Sequence, residues 1–151
     1  MMKKKEQKDI FEMIENWSKT FSLPIKTTES FPEEHRTKLC LDLIDEEFME
    51  LVQAVDHKDI KEAKDALGDL LWVTVRAMME FGVDPVSTIE AIYESNMSKA
   101  DSSEEDGKIT KEKYKELGID TFQKVNNGMV ITYNAETHKV LKSYKFKFPK
   151  L

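Results

Sequence analysis

The chain has 151 residues, 40% of them hydrophobic and 34% charged, with a net charge of −6. That suffices for one domain with a real core but not for two independent ones, and the acidic balance argues against broad binding to a nucleic-acid polymer, which needs a basic footprint. No apolar run approaches the ~18 residues of a membrane span.

The start, MMKKKEQKD, is basic but leads into an amphipathic pattern, not a signal-peptide core. The single cysteine, Cys40, permits no intrachain disulfide and sits between Leu39 and Leu41, the place of a small buried hydrophobe. The expectation is a cytoplasmic protein of one domain over residues 1–151. Its helical core covers about 8–100, and a polar segment and a tail cover about 101–151.

Ile10, Phe11, Ile14, Trp17 and Phe21 recur at helical spacing, predicting a first helix that ends before Pro24. SLPIKTTESFPEE is a connector, and Ser30 followed by Pro32, Glu33 and Glu34 marks a helix start. A second helix follows over about 33–56. At about 100° per residue, Leu41, Ile44, Phe48, Leu51 and Val55 form one apolar arc on it.

After the break DHKD, with Asp59 as N-cap, a third helix covers about 60–81 and stops at Gly82. Leu67, Leu70, Leu71, Thr74 and Met78 make one face of it, while Trp72 and Val73 point elsewhere. A helix apolar nearly all round is enclosed, and a second subunit is the expected source of part of that enclosure. A fourth helix begins at Asp84-Pro85 and runs through IYESNMSK. ADSSEEDGKITKEKYKELGID reads as polar and mobile, with a turn or two of helix at TKEKYKEL. MVITYNAETHKVLKSYKF alternates about a polar turn, predicting a β-hairpin.

The seam-like stretch LIDEEFMELVQAV carries Glu46, Glu47 and Glu50 on one helix face, and EAKDALGDLLWV carries Glu62, Asp65 and Asp69 at i, i+3 and i+7 on another. If the two helices pack antiparallel, these faces converge. Converging carboxylates raise one another's pKa unless a cation neutralises them. Magnesium, which takes oxygen ligands and shares its sphere with phosphates, is the candidate, with manganese as a substitute. A solvated acidic face is the alternative, but Asp69 inside LGDLLWV is costly to bury unpaired. His35, His57 and His138 are scattered, and Ser95 and Ser98 lack a neighbouring histidine for nucleophilic catalysis. Trp17, Phe21 and Trp72 read as core, and Lys142 and Lys145 as edge-strand protection.

EExxE followed by a helix with LGDLL resembles the all-α nucleoside triphosphate pyrophosphohydrolases, the group that includes MazG-like proteins, dimeric dUTPases and phosphoribosyl-ATP pyrophosphohydrolase. FSLPIKTTESFPEE, ESNMSK, DGKI and GMVITYN with HKVLKS are most similar to the phosphoribosyl-ATP branch. The resemblance covers about residues 10–149. It implies a mainly α fold: an oligomeric four-to-five-helix bundle with a short C-terminal β-hairpin.

It also implies magnesium-dependent cleavage of a (d)NTP, such as dUTP or a non-standard nucleotide, to monophosphate and pyrophosphate. Glu47, Glu50 and Asp69 would be metal ligands, with Glu46 a ligand or the group orienting water. Asn96 and Lys99 would hold phosphate. The chain departs from the family's ExxD motif, with Ala66 where a Glu is usual. Asp65 is then the favoured replacement and Glu62 the second choice. Phosphoribosyl-ATP as substrate, or a non-catalytic helical interaction module, are the competing readings. A homodimer or homotetramer is expected, without membrane or nucleic-acid partners.

Overall fold

The structure is a computed structural model that describes residues 9–151. The basic leader and the expected helix start at residue 8 lie outside the described residues. The chain is mainly α, as its patterning predicts. Five helices, α1 (Ile10–Thr20), α2 (Glu34–Asp56), α3 (Ile60–Glu80), α4 (Pro85–Met97) and α5 (Glu104–Glu116), precede the strands β1 (Thr121–Asn126) and β2 (Met129–Asn134). They divide into two compact units, one up to Val86 and one from Ser87 to Leu151. Among the described residues no helix is long and apolar enough to cross a membrane.

In the first unit, Asp9 caps α1 by accepting from the amides of Phe11 and Glu12. Asp59 caps α3 through Lys61 and Glu62, at 3.0 and 3.1 Å. Each carboxylate satisfies amides that the first turn leaves open. Ser30 does not start α2, whose N-cap is Glu33 without a side-chain bond. The Ser30 amide instead donates to Phe81 O at 2.9 Å, and Lys26 N donates to Met79 O at the same distance. These bonds lay the connector against the end of α3. Gly82, at φ +71°, makes that approach possible, because a Cβ there would stand 2.2 Å from Thr28 O.

Ile14, Val75 and Met79 form the buried core between α1 and α3, with Phe11, Ile25 and Trp72 packed against it. Trp17 bridges Phe21 and Trp72 at ring distances of 4.9 and 5.5 Å; the two tryptophans are half-buried, whereas Phe21, expected in the core, is 60% exposed at the end of α1.

α2 and α3 form a hairpin across His57, Lys58 and Asp59. Arg36, in the first turn of α2, reaches Glu80, in the last turn of α3, so the two run antiparallel. Its Nε and Nη2 donate to Glu80 Oε2 and Oε1 at 3.0 and 2.5 Å, and Arg76 Nη2 donates to Oε1 at 2.6 Å. Small residues line the seam: Ala54 on α2 and Ala63 and Ala66 on α3 are all buried.

The apolar arc expected to face inward on α2 is only partly covered: Ile44 and Leu51 are half-buried. Leu41, Phe48 and Val55 are 59%, 51% and 62% exposed. Helical periodicity locates a stripe but not the element that covers it, and α2 meets α3 through the strip of Cys40 and Ala54 instead.

In the second unit, the segment expected to be mobile is a full helix. Ser103 Oγ caps it through Asp106 N, acids fill its first turn and Lys113 and Lys115 its last, matching the helix dipole. The hairpin lies one strand earlier than its alternation suggested. β1 and β2 pair antiparallel from Thr121↔Asn134 to Asn126↔Met129, around Asn127 and Gly128 at φ 50° and 77°. Asn-Gly is the dipeptide that a tight hairpin turn favours. Val140 then bridges Tyr133. The tail lysines protect no edge: Lys145 bonds Asp106 at 2.8 Å, and Lys142 lies 4.4 Å from the Phe146 ring centre.

The Glu80 cluster yields the first expected outcome. Glu80→Ala leaves two arginines facing a buried void, and urea unfolding should show a loss of about 3–5 kcal/mol. A loss under about 1 kcal/mol, the scale of a solvated surface pair, would mean the cluster does not hold the hairpin.

Candidate active site

Cys40, Glu47 and Ala54 recur at heptad spacing, which puts Glu47 on the strip of α2 that meets α3. The side chain is only half-buried, yet its Oε2 is out of solvent and has no hydrogen-bond partner among the described residues. Burial pushes the Glu47 carboxyl above its usual range. The charges of Asp69, Glu50, Glu46 and Asp65 push it further, in that order. The two acidic faces therefore act on one another through Glu47.

Asp65 and Asp69 line a shallow groove of about 350 Å³ with Lys61, Glu62, Lys64 and Gly68. Glu62 also reaches a second groove, of about 370 Å³, with Glu50, Gln53, Ala54, His57 and Asp59. It is absent from the charges that shift Glu47. Another hollow, about 530 Å³ beside α1 and Gly82, holds none of these carboxylates, and its Asp9 is engaged as a helix cap.

Ala66 is 2% exposed. A Glu side chain at that position would have to enter the α2–α3 seam, whereas Asp65, one residue earlier, is exposed. The departure from the expected motif is thus a packing fact. Asn96, in the last turn of α4, is exposed and Lys99, just beyond it, is half-buried; both lie in the second unit.

Among the described residues no three His, Cys, Asp or Glu side chains already stand as a closed metal-binding group. The donor set nevertheless fits a hard cation. It is all oxygen, five of its carboxylates interact electrostatically, and a buried oxygen of Glu47 lacks a donor. A cation supplies what such an oxygen lacks.

Residues 14–96 match the model of the family described as phosphoribosyl-ATP pyrophosphohydrolase. The chain belongs to the phosphoribosyl-ATP pyrophosphohydrolase family. This family lies within the MazG-like all-α NTP pyrophosphohydrolases, hydrolases acting on phosphoanhydride bonds. The chain is also similar to an uncharacterised protein of Acanthamoeba polyphaga mimivirus, with 37% identity over 89 residues. That match covers 53% of this chain and 36% of the viral protein. The family match takes in α2, α3 and their carboxylates but stops at Asn96, short of Lys99 and the tail.

Sequence reasoning missed the Arg36–Glu80–Arg76 cluster at the other end of the seam. Its signal was available in VRAMME, where Arg76 and Glu80 stand four apart within an apolar run. Cys40 lies in the same region. Burial first, then the Glu80 charge, pushes its thiol up, which disfavours a reactive thiolate.

Glu47 predicts its own substitution. A raised folded-state pKa favours folding below the unfolded carboxylate pKa, and that contribution is lost as pH rises through the folded value. At neutral pH the ionised side chain therefore works against the metal-free fold. Glu47→Gln should melt at a higher temperature than the unsubstituted protein in EDTA at pH 7. A lower melting temperature would show that Glu47 has a stabilising partner instead.

Proposed function

We propose that the protein is a magnesium-dependent nucleoside triphosphate pyrophosphohydrolase that converts a (d)NTP and water to a (d)NMP and pyrophosphate. The observation that carries this reading is the partnerless Glu47 oxygen between two acidic helix faces, in a chain of pyrophosphohydrolase family. dUTP and non-standard nucleotides are the first substrates to try, which would make the reaction a cleansing of the nucleotide pool. The family's description favours phosphoribosyl-ATP as the second reading.

Glu47, Glu50, Asp65 and Asp69 are the proposed metal ligands, with Glu62 in reserve. Magnesium there, or manganese in its place, would lower the pKa of water and neutralise the leaving pyrophosphate. Glu46 either completes the ligand set or accepts a hydrogen bond from the attacking water and so orients it. Asn96 donates to phosphate oxygens, and Lys99 adds a point charge to them. The α–β anhydride bond breaks, and water supplies the oxygen that replaces it.

Pyrophosphate release from a dNTP panel and phosphoribosyl-ATP, with magnesium or excess EDTA, tests the reading. Turnover should require magnesium or manganese, and undiminished activity in EDTA would overturn it. No turnover of any of these substrates would favour the non-catalytic module. Asp65→Asn and Asp69→Asn should each lose on the order of a hundredfold in rate, since each removes a ligand charge. Glu62→Gln should be mild. A dead Glu62→Gln beside a near-normal Asp65→Asn would place the ligands in the other register.

We also propose a homodimer or homotetramer. Leu41, Phe48 and Val55 on α2 and Leu67 and Leu71 on α3 are 49–62% exposed, an apolar area that a second copy would cover. Light scattering at micromolar concentration should give at least a dimer, and Phe48→Glu should shift it towards monomer. A monomeric unsubstituted protein would refute the assembly.

A further inference from the structure

Ser95 and Ser98 have no histidine to activate them, yet Ser95 is 7% exposed. The tail explains both. Ser95 Oγ donates to Lys147 O at 2.8 Å, and Lys147 N donates to Ser98 Oγ at 2.9 Å. Ser143 N donates to Lys99 O at 3.1 Å. Ser143 Oγ donates to Asp101 Oδ1 at 2.5 Å. Ser143 and Asp101 are 4% and 2% exposed. The segment Ser143–Lys147 is therefore stitched along the last turn of α4 and the residues just beyond it.

The place of Lys99 gives these bonds a purpose. α4 ends at Met97, and Lys99 follows in a turn where Lys99 N donates to Asn96 O at 3.1 Å and Ala100 N to Met97 O at 3.2 Å. A helix end of this kind frays unless its carbonyls find donors. Here the Lys99 carbonyl finds one in the tail. On the far side of the turn, Asp101 exchanges two backbone bonds with Val130, each 2.8 Å, which joins it to β2. Lys99 is thus held from its carbonyl and from Asp101 two residues on.

We propose that Ser143 and Asp101 are positioning residues: the tail is a clasp that sets the direction in which Asn96 and Lys99 present their donors to the substrate's phosphates. The inference rests on the proposed phosphate role of those two residues. Ser143 touches no substrate itself. It acts through the Lys99 backbone and through Asp101, whose Oδ2 has no hydrogen-bond partner among the described residues and so offers little to replace a lost Ser143 bond.

The test compares Ser143→Ala, Ser143→Thr, Lys99→Ala and the Ser143→Ala/Lys99→Ala pair in the full-length protein. The readouts are kcat, KM and pyrophosphate affinity by calorimetry in magnesium. Ser143→Ala should raise KM and weaken pyrophosphate binding by about tenfold, the scale of one hydrogen bond, with kcat within about twofold. Ser143→Thr keeps the hydroxyl and should restore binding. The pair should be no worse than Lys99→Ala alone, because both changes remove one interaction.

A defective Lys99→Ala beside an unchanged Ser143→Ala, or multiplied defects in the pair, would overturn the clasp and leave the phosphate role standing. An unaffected Lys99→Ala would overturn both. If Ser143→Ala loses its fold by circular dichroism, Ser98→Ala takes its place, since it removes the hydroxyl that accepts from Lys147 N, along with that hydroxyl's bond to Ser95 O at 2.7 Å within the same helix end. It should weaken pyrophosphate binding in the same direction, and unchanged binding would refute the clasp.

Discussion

The carboxylate of Glu80 lies between two arginines, and the register of the α2–α3 hairpin depends on that. Glu80 is 3% exposed and bonds Arg36 from α2 and Arg76 from its own helix. Burying a charge is tolerable only with its partners in place, so a slip of one helix along the other would strand Glu80. Arg76 also reaches Pro24 O, at 3.4 Å, so the connector shares the same anchor. With that end pinned and alanines lining the seam, few positions remain for the strip that includes Glu47.

Two glutamates on one seam therefore meet opposite fates. Glu80 receives three charge-assisted bonds. Glu47 receives burial and the repulsion of four other carboxylates. Marginal stability makes an uncompensated carboxylate a feature that structure alone does not reward. Ala66 sharpens the point: a larger side chain there would push the helices apart, and the carboxylate one residue earlier keeps the acidic field intact without crowding the seam. This contrast supports a bound cation more strongly than the number of acids does, because a solvated acidic face would leave no oxygen buried and unpaired.

Much of the first unit was legible in the sequence. Asp59 as N-cap, Pro85 as a first helical residue and the 3.6-residue periods all act locally, within one turn. What covers an apolar stripe is not local. Leu41, Phe48 and Val55 have the period of a core face but stay exposed among the described residues, while the strip that packs on α3 is marked only by Cys40, Ala54 and a glutamate. Small residues carry little hydrophobic signal although they permit the closest helix approach. The hairpin was misplaced for another reason. Alternation extends through HKVLKSYKF, but the Asn127-Gly128 turn, a stronger constraint on the backbone, lies upstream. The acidic faces were visible by spacing, but the unpartnered oxygen among them required coordinates.

The second unit is held by a different kind of force. Its buried side chains include Ser95, Asp101, Thr110, Thr132 and Ser143, against Val130 as the buried hydrophobe. Gln123 Nε2 links Gly107 O and Thr132 Oγ1, Thr110 Oγ1 accepts from Tyr144 N, and Tyr144 OH donates to Asp106. Gly107 lets α5 come close, since a Cβ there would meet Val130 Cγ1 at 2.7 Å. Apolar burial is non-directional and tolerates small slides. Hydrogen bonds weaken steeply with angle, so a network of hydroxyls fixes backbone positions more narrowly than an equal area of packed methyls. Such a network contributes modest net stability per bond and loses it abruptly when one member is removed. That is a poor way to build a robust core and a good way to hold a helix end, such as the turn carrying Lys99, in one orientation.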